Sequence, residues 1–127
     1  MGVVHDLKDW VIVVDDDRRA MWNANAGSWT ELSRAGFDVY RDLVNTPAFF
    51  AMLPSVAECS GLDLGCGEGH NTRLLAERGA NVVALDIADA FVAAAAAVAR
   101  SDVRFVIADG AMDDVVQRVV EYASMRK

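Results

Sequence analysis

The chain has 127 residues, 54% of them apolar, and 12 basic against 19 acidic side chains leave a net charge of −7. That length bounds a single domain, residues 1–127, with room for a real core. The isoelectric point near 4.6 excludes a dominating basic face, so no nucleic-acid partner is expected. No apolar run approaches a membrane span, and residues 1–10 carry charges where a leader peptide needs an apolar stretch. Cys59 and Cys66 make no disulfide framework, so a cytoplasmic protein with free thiols and no membrane association is expected.

In chain order, the apolar run of residues 10–14 reads as a short strand, and Asp15, Asp16 and Asp17 end it and can cap a helix over 18–23. Residues 25–28, polar and containing Gly27, read as a break. A second helix is expected from Ser28 or Thr30 to about Leu43, with Leu32, Phe37, Tyr40 and Val44 as an imperfect stripe. Thr46-Pro47 reads as a restart, with Thr46 as N-cap and Pro47 in the first turn, and that helix ends at Pro54. Residues 1–58 therefore read as a mostly helical lid region over residues 59–127.

From residue 59 the pattern becomes strict alternation. Strands are expected over 62–64, 81–87 and 103–108, and helices over 69–78 and 88–100. Gly79 is the natural C′ residue of the first of these helices. The unbroken run Val82-Val83-Ala84-Leu85 suits a strand buried on both faces. Asp113 can cap a last helix bearing Val115, Val116, Val119, Val120 and Ala123 on one face. This βαβαβ order implies right-handed crossovers and a Rossmann-like parallel α/β sheet of order 3-2-1.

The chemistry concentrates in Gly61-Leu62-Asp63-Leu64-Gly65-Cys66-Gly67-Glu68-Gly69. Gly65 permits a sharp turn after the strand, Gly67 leaves room for a ligand against backbone, and Gly69 lets the chain enter the next helix close to the sheet. That helix start offers free N–H groups. Asp86 and Asp109 end the next two strands, and with Asp63 they are expected on the carboxyl rim, where open α/β sheets bind ligands. Asp86 there can accept hydrogen bonds from ribose hydroxyls. His70 stands where a G-x-G-x-x-G dinucleotide turn would need glycine, which disfavours a nicotinamide cofactor, and no Gly-Lys-Ser/Thr follows to make a phosphate loop. Cys66 reads as a small loop residue, Glu68 as an exposed turn residue, His70 as structural, and Phe49 and Phe50 as core. Trp22, Trp29, Phe37 and Tyr40 are divided between the wall of a substrate cavity and core or lid packing. No metal-ligand spacing is present, and no residue is a clear catalytic base.

Residues 62–69 resemble motif I of class I S-adenosylmethionine-dependent methyltransferases. Val83 to Ile87 is similar to that family's second strand with its ribose-binding acid, and Val106 to Ala111 to its adenine-contacting third strand. Trp22 to Ala26, with Trp29, resembles the helix that many small-molecule methyltransferases fold over the cofactor. The resemblance implies S-adenosyl-L-methionine as cofactor. It places Gly65 and Gly67 along the methionine part, Asp63 near its ammonium, Asp86 on the ribose, Ile87 against adenine and Asp109 on the adenine amino group, with Cys66, Gly69 and Gly110 also cofactor-binding. It further implies methyl transfer to a small molecule. The family's seven-stranded sheet has a second half for which no segment follows Ala111. The first strand is then expected to have an open edge that the Val-rich C-terminal helix, the strand over 10–14 or a second copy of the chain could cover, and self-association is expected. A cofactor-binding or interaction module without chemistry is the alternative.

Overall fold

The computed structural model describes residues 16–109 together with 117, 120, 121, 124 and 125. The expected strand over 10–14, the cap at Asp15, Gly110 and the cap at Asp113 lie outside the described residues, while 117, 120, 121 and 124 are helical.

The elements in order are α1 (Asp16–Arg34), a π turn (Arg41–Asn45), α2 (Thr46–Met52), β1 (Ser60–Leu64), α3 (His70–Glu77), β2 (Asn81–Asp86), α4 (Asp89–Val98) and β3 (Arg104–Ile107). The three strands are parallel in the order β1-β2-β3, which is the expected 3-2-1 order read from the other side. The register sets Leu64 beside Leu85 and Asp86 beside Ile107, so the strand ends align along one edge. Val82, Val83, Ala84 and Leu85 are all buried, the central strand being covered on both faces as its apolar run requires. The alanines of α4 let it lie close to its neighbours, and Ala95 is wholly buried.

The N-terminal third departs from expectation. α1 is one helix through residues 25–28, where the polar composition predicts a break. The Asn25 side chain donates to the Met21 carbonyl one turn back, and Ala26 is buried against Ala88 and Phe91. Tertiary packing on α4 thus overrides a weak local preference. The helix stops at Gly36 and not near Leu43. Gly36 (φ 87°) donates to the Ser33 carbonyl and Phe37 to the Leu32 carbonyl, the paired bonds of a Schellman ending. Gly79 (φ 86°) ends α3 in the same way, as expected.

Thr46 is not an N-cap. It is helical (φ −63°, ψ −51°), and its N–H donates to the Arg41 carbonyl across the π turn. Pro47 brings no N–H for the next helical bond, and the wider turn absorbs that loss without a break. Phe49 and Phe50 pack edge to face with centroids 5.1 Å apart, and the Arg78 guanidinium lies 4.0 Å over the Phe50 ring. Phe49 is 39% exposed and so is not core. Phe37 and Tyr40, at 73% and 79% exposed, are not core.

Gly69 has φ 86°, and a Cβ there would stand 2.9 Å from the Ala95 Cβ. Gly36 has φ 87° with open space around it. Gly36→Ala is expected to cost only the left-handed backbone strain, roughly 1–2 kcal/mol, whereas overpacking against α4 brings Gly69→Ala to about 3 kcal/mol. Urea denaturation of the two variants, compared by midpoint, checks the ranking.

Candidate functional site

The site grows from three loops that leave the aligned strand ends. After β1 the N–H groups of Gly65 and Cys66 both donate to the Leu85 carbonyl, at 2.8 and 2.9 Å, which pins the start of the turn to β2. Gly65, Gly67 and Gly69 all have positive φ (72°, 55° and 86°), so the turn needs glycine at each. The Cys66 carbonyl accepts from the Gly69 N–H at 3.0 Å, and α3 starts there.

Asp86, at the end of β2, is 8% exposed and joins two of the loops. One carboxylate oxygen accepts the Gly67 N–H at 2.9 Å and the other the Ala88 N–H at 2.9 Å. Each oxygen keeps a second acceptor position. Both oxygens therefore serve the fold, a role that spacing alone did not reveal.

These loops and α1 enclose a cavity of about 480 Å³, lined by Gly65, Gly67, Asp86, Ile87, Phe91 and Asp109 on the sheet side and by Arg18, Trp22 and Trp29 from α1. Five residues singled out in the sequence thus meet at one place. Trp22 and Trp29 belong to the wall. Asp63, Cys66 and Gly69 are not on it.

Asp63 lies within β1 and accepts the Thr72 hydroxyl at 2.6 Å. Burial raises its carboxyl above the usual range, the Thr72 bond opposes this, and the Asp86 charge adds to it. Cys66 is buried, and burial together with the neighbouring acids Asp63 and Asp86 pushes its thiol far up, which is the reverse of an activated nucleophile. His70 shares a hydrogen bond of 3.0 Å with the Thr46 hydroxyl. Burial and then Arg41 lower its pKa below that of a free imidazole.

Sequence reasoning missed three residues. Arg18 reaches across the cavity mouth to Asp109, with Nη2 to Oδ2 at 2.8 Å. Asn23 ties α1 to the start of α4: its side-chain amide donates to Asp89 at 2.5 Å and its oxygen accepts the Ala90 N–H at 2.9 Å. It is thus an N-cap supplied by another helix. Glu68, expected to be exposed, is 4% exposed and surrounded by Arg34, Arg41 and Arg73. Nothing in its local sequence signals this, because two of the three arginines lie outside the turn and the helix after it.

Among the described residues no group of three or more His, Cys, Asp or Glu side chains could hold a metal ion. Among those same residues no helix is long and apolar enough to cross a membrane.

Residues 62–122 match the family model of a methyltransferase domain. The fold is similar to a TehB-like S-adenosylmethionine-dependent methyltransferase from Corynebacterium glutamicum. The two are 29% identical over 74% of this chain and 48% of that one, with a TM-score of 0.54. A second S-adenosylmethionine-dependent methyltransferase, from Mesorhizobium loti, is 38% identical over 50% of this chain and 30% of that one, at a TM-score of 0.48. A complex from Haloferax volcanii that contains the Trm112 methyltransferase activator matches at 24% identity, over 66% of this chain and 38% of that one, with a TM-score of 0.53. No curated protein matches the sequence. The chain is thus similar in fold to part of an S-adenosylmethionine-dependent methyltransferase, and it spans less than half the length of these solved structures. The Corynebacterium glutamicum protein is dependent on S-adenosylmethionine.

The cavity fits such a molecule. A Cβ added at Gly65 or Gly67 would meet nothing of the chain within 4 Å, although both residues line the cavity, so the missing side chains leave ligand space. The volume also falls in the range of small-molecule sites, about 300–1,000 Å³.

The titrating groups give two expected outcomes. Burial works against the Glu68 charge, but hydrogen bonds from Arg73 and Arg34 hold its carboxyl below the ordinary 4.5. A depressed folded-state pKa contributes stability that is complete above the ordinary value and lost as pH falls through the folded one. Thermal unfolding between pH 6 and pH 3 should therefore show a steeper acid loss in the wild type than in Glu68→Gln. For Asp63 the sign is opposite, since a raised carboxyl pKa makes the ionised form a burden on the folded state at neutral pH. Asp63→Asn keeps an acceptor for Thr72 and should raise the Tm at pH 7.5 by about 1–4 °C, read by calorimetry.

Proposed function

We propose that the protein binds S-adenosyl-L-methionine in the cavity over β1 and β2 and serves methyl transfer to a small-molecule acceptor. The observation that carries this is the pairing of Gly65 and Gly67, whose absent side chains open the cavity, with Asp86, which fixes the turn and still faces the cavity. The bound cofactor supplies an electrophilic methyl on a sulfonium. In this reading Gly65 and Gly67, with Cys66 and Gly69 shaping the turn behind them, take the amino-acid part, and Asp63 biases that end toward a cation. Asp86 accepts from ribose hydroxyls, Ile87 packs on the base, and Asp109, with Gly110 beyond it, meets the base edge. Trp22, Trp29 and Phe91 exclude water, which is most of what in-line transfer asks of a protein. The net charge of −7 supports a small acceptor over a nucleic acid.

A second reading, a cofactor-binding module without chemistry, is favoured by one observation. Among the described residues the cavity wall has no His, Cys or Lys, and both of its acids are engaged by the fold or by Arg18. β1 has no neighbour strand on its outer side among the described residues, which supports self-association along that edge.

Titration calorimetry with S-adenosylhomocysteine tests the reading. Micromolar binding is expected, and Asp86→Ala should weaken it at least about 30-fold, since a ribose contact and two turn-fixing hydrogen bonds are lost together. A folded wild-type chain that does not bind overturns the reading. Binding without methyl release to any of a panel of thiol, amine and hydroxyl acceptors favours the second one.

A further inference from the structure

Glu68 does more than its place in a turn requires. Its carboxylate lies where three guanidinium groups from three elements converge: Arg34 from the last turn of α1, Arg41 from the π turn and Arg73 from α3. Arg34 Nε and Arg73 Nη2 both donate to Oε2 at 2.9 Å. The same two side chains also donate to the Glu68 carbonyl, at 3.3 and 2.7 Å, so each grips side chain and backbone together. Oε1 has no hydrogen bond and stands 3.6 Å from Arg41, a charge contact alone. Arg34 continues to the Ala94 carbonyl of α4 at 3.0 Å, and Arg41 returns to α1 through the side chain and carbonyl of Ser33. None of the three arginines lines the cavity.

A carboxylate this buried is tolerable only while its cations stay in place, because a lost partner leaves charge uncompensated in a low dielectric. The seat of α1 and the shape of the glycine turn therefore share one set of bonds. We propose that Glu68 is a positioning residue that couples the two: α1, bearing Arg18, Trp22 and Trp29, and the turn bearing Gly65 and Gly67 hold or release the cavity as a unit. The proposal rests on the cofactor reading for its consequence in binding, but the coupling is a property of the chain itself.

Hydrogen exchange read by mass spectrometry on the full chain without ligand tests it, alongside S-adenosylhomocysteine titration. Arg34→Met should speed exchange in residues 65–69 as well as in α1. Arg73→Met, on the other side of Glu68, should speed it in α1 as well as in the turn. Each should weaken S-adenosylhomocysteine about tenfold without touching the cavity, and Arg34→Lys should recover part of the loss. Should Glu68→Gln fail to fold, the arginine variants still decide. Loosening confined to the element that carries the substitution overturns the coupling, whatever happens to the Tm. If the wild type does not bind S-adenosylhomocysteine, the cofactor reading falls, and the exchange pattern still decides the coupling.

Discussion

Asp86 sits where β2 ends, and the rest of the site is arranged around its two oxygens. One holds Gly67 and the other Ala88, so the loop after β1 and the loop after β2 are set at a fixed spacing. Its backbone carbonyl accepts the Ala108 N–H at 3.0 Å, which brings the loop after β3 into the same frame. One residue thereby organises the carboxyl edge of all three strands. A buried carboxylate accepting backbone amides is strongly directional, because charge-assisted bonds are short and about twice as strong as neutral ones. The glycines make the turn possible, and Asp86 makes it unique.

Helix α1 closes the site from above by contacts that are mostly polar. Asn23 and Arg19 meet Asp89, Arg18 meets Asp109, and Arg34 meets Glu68, with Ala26 as the small apolar contact between them. The tilted pair of Trp22 and Phe91, with centroids 6.3 Å apart, completes the seam beside the cavity. Exposed ion pairs contribute little each. The more buried Glu68 cluster and the apolar seam hold the helix, and the outer pairs set its register.

This division suits the proposed role, in which the site admits a ligand and then excludes water. The sheet side is rigid: β2 is buried on both faces and its turn is stapled. On the helical side the outer pairs, such as Arg19 with Asp89, can exchange protein partners for water at modest cost, whereas the buried Glu68 cluster cannot. The chain spans less than half of the three solved structures compared above, and even so the three described strands and α1 already frame a cavity.

Much of the core was legible in the sequence. The βαβαβ order, the Gly79 ending, and the meeting of Gly65, Gly67, Asp86 and Asp109 arise from apolar runs and glycine spacing, which are local causes, while Ile87 was placed there by the family resemblance. Other features were decided only by tertiary contacts. A polar stretch with a glycine stayed helical because Ala26 packs on α4, Thr46 lost its cap role to a π turn, and Glu68 was buried by arginines from as far as 34 residues away in the chain. Asp63 kept its strand position but faces Thr72, away from the cavity wall. Periodicity and turn chemistry are written residue by residue and so can be read directly. The partners of a charged side chain depend on which distant helix lies against it, and that is fixed only when the chain has folded.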